Sequence, residues 1–195
     1  MTTKKVYDYF MIYKPYGVLS QFSKENADDR TLKELYHFPS DVYPVGRLDK
    51  DSEGLLILTN DPSLNAELLR PIEKMEKLYW VQVEGNPDKS FIQKMSEGVS
   101  ITIDKKKYNC LPAEVQFFKK APPVPDRNPP IRTRLNIADR WISIKLVEGK
   151  NRQIRKMCAS LGFPVLRIVR ISVGKLKLSE FVPGSVTLMK RKDCV

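Results

Sequence analysis

The 195-residue chain has one histidine, three cysteines and nine glycines. No apolar run approaches the roughly 20 residues that a membrane helix needs. Lys4, Lys5, Asp8 and Lys14 interrupt the start, which has neither the apolar core nor the small-residue cleavage site of a signal peptide. The expectation is a cytoplasmic protein with no membrane partner. Cys110, Cys158 and Cys194 are odd in number, far apart and without a CxxC pair, so no disulfide framework is suggested. A histidine-rich metal site is excluded, and a histidine-based triad would have to use His37. That residue stands beside Phe38-Pro39 in an expected turn and reads as structural. Chemistry must come from carboxylates, tyrosines or basic groups.

Positive charge is plentiful. The formal net charge of +11 points to a polyanionic partner. β-rich runs fall at residues 7–13, 42–45, 55–59, 78–84, 99–103, 113–118, 141–147 and 165–173. In the fourth run Tyr79, Val81 and Val83 face one way, and Leu78, Trp80 and Gln82 the other. Thr31 with Glu34 forms a capping box, Asn60-Asp61-Pro62 opens a helix through Leu64, Leu68 and Leu69, and Asp88 can cap a helix carrying Phe91, Ile92 and Met95. The last helix spans 151–161, with Ile154, Met157, Cys158 and Leu161 on one face. Gly162 suits its left-handed C-terminal position and Pro164 stops it. Residues 121–134 hold five prolines, which exclude a central strand or helix interior. They form a stiff loop carrying Arg127, Arg132 and Arg134. Strands dominate with helices among them, so the expected class is α+β around an antiparallel or mixed sheet.

Two stretches concentrate chemistry-bearing side chains. Gly46-Arg47-Leu48-Asp49-Lys50-Asp51-Ser52-Glu53-Gly54 crowds three carboxylates and two cations between two strands. It begins like a calcium loop, but such a loop needs a bidentate Glu at its twelfth position. Counted from Asp49 that position is the neutral Asn60, so calcium is not expected. The second stretch is the expected helix Glu148-Gly149-Lys150-Asn151-Arg152-Gln153-Ile154-Arg155-Lys156-Met157. At about 100° per residue, Arg155 lies beside the apolar stripe while Arg152 and Lys156 lie further toward solvent. An arginine at the edge of a buried face either pairs with a carboxylate or snorkels into water. Arg152 and Lys156 are placed to hold phosphates. Tyr79, near the start of a strand at Lys77-Leu78-Tyr79-Trp80, reads as core on pattern alone.

Together these stretches resemble the ribosomal branch of the pseudouridine synthase family. Gly46-Arg47-Leu48-Asp49 with Ser52-Glu53-Gly54-Leu55-Leu56 is similar to its catalytic motif. Lys77 with Tyr79, Arg152-Gln153-Ile154-Arg155-Lys156-Met157 and Lys14-Pro15-Tyr16-Gly17 are similar to three others, in the family's order. Gln21-Phe22, Arg127-Asn128-Pro129-Pro130-Ile131-Arg132, Trp141 and Glu148-Gly149 resemble the large-subunit ribosomal RNA pseudouridine synthase E group. The resemblance implies one catalytic domain of two α+β halves sharing a long, mixed, mostly antiparallel sheet, with an RNA cleft between them. Few residues precede the first strand, so the S4 RNA-binding domain of many relatives is expected to be absent.

The resemblance also implies roles. Breaking N1–C1′, turning the base and forming C5–C1′ exchanges no atoms or electrons with a cofactor, so neither metal nor organic cofactor is expected. Asp49 would act as a nucleophile or remove a sugar proton. Arg155 would favour its ionised form. Tyr79 would stack on the flipped base and help remove the C5 proton. Arg47, Lys77, Arg127, Arg132, Arg134, Arg152 and Lys156 are the expected RNA contacts, and the partner is large-subunit ribosomal RNA bound by a monomer. The alternative is an RNA-binding or ribosome-assembly protein without activity. A binding-only protein would have no use for the carboxylate.

Overall fold

In the computed structural model, residues 6–69, 75–131 and 137–194 are described. The fold is α+β and divides into two compact units, one of residues 1–73 with 174–195 and the other of residues 74–173.

The first unit is built on β1 (Tyr9–Lys14) and β3 (Glu53–Thr59), in which every residue is buried. They pair antiparallel from Tyr9 opposite Thr59 to Lys14 opposite Gly54. Burial on both faces explains their near-continuous apolar runs. β2 (Tyr43–Val45) pairs with the far half of β3. Asp61 accepts the Ser63 N–H (2.9 Å) and so opens α1 (Pro62–Leu69), with proline in the first helical position, where a missing N–H costs nothing. Residues 31–36 hold only a single 3-10 turn, Leu32–Glu34, with the Thr31 N–H donating to Glu34 (3.3 Å). Beyond that turn, Tyr36 and Phe38 pack on Phe10, with centroids at 5.8 and 5.1 Å, and Phe22 joins Phe38 at 5.7 Å. The chain returns to this unit through a short strand, β10 (Leu176–Lys177), and β11 (Val186–Leu188), which pairs with β1. Arg191 then reaches Asp61 (3.3 Å) and Glu67 (2.6 Å), and Tyr9 donates to the same Asp61 (2.9 Å).

The second unit is an antiparallel sheet in the order β9 (Val165–Val173), β4 (Lys77–Glu84), β8 (Asp139–Leu146), β7 (Glu114–Phe117). The alternation read in β4 holds: Tyr79, Val81 and Val83 are buried, and their neighbours are half-exposed. α2 (Lys89–Glu97) is capped by Asp88, which accepts from Ser90 (2.9 Å) and Phe91 (3.3 Å), and it buries Phe91 and Met95. β5 (Ser100–Ile103) and β6 (Lys106–Asn109) form a separate two-stranded ribbon. α3 (Gln153–Ser160) buries Ile154, Met157 and Cys158 and ends as expected, with Gly162 at φ +89° and the Phe163 N–H on the Cys158 carbonyl (3.0 Å). Its start differs from expectation. Arg152 is not in the helix but adopts a left-handed conformation (φ +53°) just before it, within a turn closed by the Gln153 N–H on the Lys150 carbonyl (3.1 Å). Among the described residues no helix is long and apolar enough to cross a membrane.

Candidate active site

Asp49 lies in the first unit, on the loop that leaves β2 and enters β3. The loop starts at Gly46 (φ +69°) and ends where Gly54 (φ +101°) enters the strand. A loop laid against buried strands must satisfy its backbone polar groups internally. Ser20, which is buried, does this for the residue before Asp49. Its hydroxyl donates to the Leu48 carbonyl (2.8 Å) and accepts the Leu48 N–H (3.0 Å). The Asp49 carbonyl accepts the Ser52 N–H (3.0 Å), and the Lys50 carbonyl accepts the Gly17 N–H (2.8 Å). Lys14 is 0% exposed, and its ammonium donates to the carbonyls of Val18 (2.7 Å), Pro15 (2.9 Å) and Lys50 (3.5 Å). The Lys14-Pro15-Tyr16-Gly17 motif is therefore a support for the Asp49 loop.

The side chains beside Asp49 are also held. Arg47 is exposed and donates to Gln21 (3.0 Å). Lys50 reaches the buried Asp29, which also accepts from the Asn26 N–H (2.7 Å) and the Glu25 N–H (3.2 Å). The hydrogen bond from Lys50, aided by Asn26, holds the Asp29 carboxyl down at about 2. Asp49 itself is half-buried. Asn60, at the position where a calcium loop needs Glu, accepts the Asp8 N–H (2.8 Å) and donates to Asp41 (3.0 Å). Among the described residues no group of three or more His, Cys, Asp or Glu is arranged to hold a metal ion. His37 is exposed in its turn.

The other candidates belong to the second unit. The register of β4 against β9 slips between Leu78 and Tyr79, so Leu78 faces Ser172 while Tyr79 faces Arg170. Such an irregularity re-aims the side chain it carries, and it falls at the tyrosine singled out from the sequence. Tyr79 is 9% exposed. Lys77 donates to the Met75 carbonyl (3.0 Å), and burial and the nearby Arg170 both lower its pKa. Arg155 is half-buried on α3 and donates to the Val165 carbonyl (3.3 Å). Lys156 is half-buried and Arg152 exposed. Arg127 donates to the carbonyls of Pro129 (2.8 Å) and Pro130 (3.1 Å), so its guanidinium closes its own loop. Arg132 and Arg134 lie outside the described residues.

Sequence reasoning did not single out Ser20, Asp29, Arg167 or the network at Glu148. Arg167, 4% exposed, holds the proline-rich loop by donating to the Pro125 carbonyl (2.8 Å). Glu148 accepts from Tyr108 (2.5 Å), the Leu111 N–H (2.9 Å) and Gln153 (2.6 Å). Burial acts to raise its pKa, but these hydrogen bonds outweigh it and hold the carboxyl below its ordinary value. Glu148 heads the second charged stretch and with Gly149 belongs to the resemblance, but the sequence assigns it no role. Its half-apolar surroundings were the available signal.

The family model for RNA pseudouridylate synthase matches residues 8–160. Over 175 residues the chain is 45% identical to ribosomal large subunit pseudouridine synthase E of Xanthomonas campestris pv. campestris, covering 89% of this chain and 91% of that one. The protein of the same name from Vibrio parahaemolyticus is 46% identical over 171 residues, covering 88% of this chain and 69% of that one. A crystal structure of a pseudouridylate synthase shares the fold, with a TM-score of 0.76 at 24% identity over 100% of this chain and 75% of that one. This chain belongs to the RNA pseudouridylate synthase family. It is an isomerase that acts on RNA.

Two predictions test the support of the Asp49 loop. Ser20→Ala strands two buried backbone groups, a loss of about 1–3 kcal/mol, and frees the loop. Because small misplacements of a reacting group are costly, turnover should fall about 10- to 100-fold with little change in KM. Ser20→Thr, which keeps the hydroxyl, should recover most of the turnover. Equal kcat values for the two variants would show that the hydroxyl does not position Asp49.

The Lys50–Asp29 pair predicts a pH dependence. The Asp29 carboxyl is depressed in the fold relative to about 3.9 in the unfolded chain. Its stabilisation is therefore full above the unfolded value and disappears as the pH falls through the folded one. Asp29→Asn should lower Tm at pH 7, and the gap from wild type should narrow as the pH drops from about 5 towards 2. Thermal melts from neutral pH down to about 3 measure this, and a constant gap would refute the assignment.

Proposed function

We propose that this protein converts a uridine of large-subunit ribosomal RNA to pseudouridine, working as a monomer in the cytoplasm, with Asp49 as the reacting carboxylate. The large-subunit substrate rests on relatives of that name at 45–46% identity across most of the chain. The role of Asp49 rests on one observation above others. Its loop is fixed by hydrogen bonds to the backbone on both sides of it, from Ser20, Ser52, Gly17 and Lys14. Holding a reacting group in place before substrate arrives is worth several kcal/mol of barrier.

The reaction balances without a co-reactant. N1–C1′ breaks, the base turns, C5–C1′ forms, C5 loses a proton and N1 gains one. The Asp49 carboxylate starts it by attacking C1′ or by removing a sugar proton. Arg155 is assigned to take part in the same reaction. Tyr79, aimed by the slip in β4, stacks on the extruded base and helps take the C5 proton. Arg47, Lys77, Arg152 and Lys156 hold the RNA. Arg132 and Arg134 join them from the proline-rich loop, which Arg127 and Arg167 keep in shape.

Asp49→Asn keeps the side chain's shape but removes its charge. It should abolish tritium release from C5-labelled ribosomal RNA and leave RNA affinity near wild type. Substantial release would eliminate Asp49 as the essential group.

Tyr79→Phe separates stacking from proton transfer. The ring remains, so affinity should be near normal, while tritium release falls and a rearranged-base or RNA–protein species accumulates. Tyr79→Ala should also lose about 1–3 kcal/mol of binding. Wild-type release by Tyr79→Phe would leave the residue as a stacking platform alone.

A further inference from the structure

In the β5–β6 ribbon Ile101 lies opposite Tyr108, Thr102 opposite Lys107 and Ile103 opposite Lys106. The two residues of its turn, Asp104 and Lys105, both adopt positive φ, +48° and +64°. A two-residue hairpin demands this, and Asn-Gly or Asp-Gly meets the demand with least strain. Lysine in the second position is strained, and such strain persists where something else selects the residue. Lys105, Lys106 and Lys107 are all exposed, and among the described residues none of them is in an ion pair.

The ribbon is firmly held at its base. Tyr108 donates to Glu148 (2.5 Å), and Glu148 also takes the Leu111 N–H (2.9 Å) and Gln153 at the start of α3 (2.6 Å). The Lys150 ammonium stands 4.9 Å from the centre of the Tyr108 ring. The face that carries Ile101, Ile103, Tyr108 and Lys106 is thus turned toward the segment that leads into α3 and bears Lys150 and Arg152. Lys107 belongs to the opposite face. Strand alternation puts Lys106 two residues from Tyr108 on the same side, about 6–7 Å along the ribbon.

We propose that the β5–β6 ribbon is an RNA-contacting arm, in which Lys105 and Lys106 extend the phosphate-binding track of Lys150 and Arg152. The inference rests on the RNA-modifying function proposed above. Two adjacent cations, Lys105 at the strained turn and Lys106 on the face of Tyr108, complement a polyanion, and phosphate contacts fix register and orientation without reading sequence. RNA is favoured over an acidic protein because the track runs into the turn that carries Arg152 at the head of α3.

The test compares two single neutralisations that remove the same charge from adjacent residues on opposite faces. Binding to deproteinised large-subunit ribosomal RNA is measured over about 50 to 200 mM salt, where affinity falls by about 0.7–0.9 log units per log unit of salt for each phosphate contact. Lys106→Gln should lower that slope by about one contact, weaken binding about fivefold near 150 mM salt, and raise KM with kcat unchanged. Lys107→Gln should leave slope, affinity and KM at wild-type values. Equal effects of the two variants, or a wild-type slope in Lys106→Gln, would overturn the arm. The parent reading fails separately, if the wild-type protein releases no tritium from the same C5-labelled RNA.

Discussion

The first unit is organised by one constraint. The Asp49 loop lies against strands with no exposed residue, and its backbone groups at Leu48, Asp49 and Lys50 are bonded within the protein. The protein answers with donors and acceptors from a single earlier segment. Lys14 ends β1, with Gly17 and Ser20 just after it, and β1 pairs with β3, the strand that the loop enters. Pairing of the two strands therefore brings both the loop and its support into register. A lysine buried to 0% exposure is tolerated because three carbonyls receive its ammonium. Two of those carbonyls, Pro15 and Val18, belong to the segment after β1 and the third, Lys50, to the loop itself, so the buried charge ties one to the other.

The second unit solves a related problem with carboxylate and carbonyl acceptors. Glu148 gathers three donors from the ribbon, from the chain beyond it and from the first turn of α3. Gln153 completes the turn by accepting the Lys150 N–H (3.0 Å). Arg152 is left in a left-handed conformation directly before the helix, exposed, with backbone on both sides fixed. A cation so placed can meet a phosphate without first ordering its own segment, which lowers the entropy lost on binding.

Much of this was legible in the sequence. β-rich runs, alternating in β4 and nearly continuous in β1 and β3, located β1, β3, β4, β8 and β9 to within two residues. The Asp88 cap, the proline-opened α1 and the Gly162 stop of α3 follow from local chemistry that acts wherever the residues occur. What was missed depends on partners distant in the chain. β6 has one apolar side chain, Tyr108, among Lys106, Lys107 and Asn109, and becomes a strand because β5 pairs with it. β11 has three residues and is defined by β1. Ser20 looked like any loop serine. Its two bonds to Leu48 span 28 positions, and no spacing rule reports a contact of that kind.

The excess of positive charge shows the same limit. A net charge of +11 is a correct pointer to a polyanion but a poor map of where it binds, because many cations are already committed to the fold. Lys14 and Arg167 are buried on carbonyls, Lys50 is held by Asp29, and Arg191 bridges Asp61 and Glu67. Arg140 lies 3.9 Å over the Phe117 ring and donates to Asn86 and Pro87 (both 3.0 Å), and Arg127 closes its own loop. These are mostly arginines, whose planar, multidentate head groups suit carbonyls, carboxylates and aromatic faces. The cations at the ribbon tip are lysines, compact and strongly hydrated, and among the described residues they are in no ion pair. Affinity for a polyanion comes from cations that release counterions when phosphates replace them. A guanidinium already bonded to carbonyls inside the fold releases few. The charge that attracts RNA is therefore carried by the basic residues that the fold does not use.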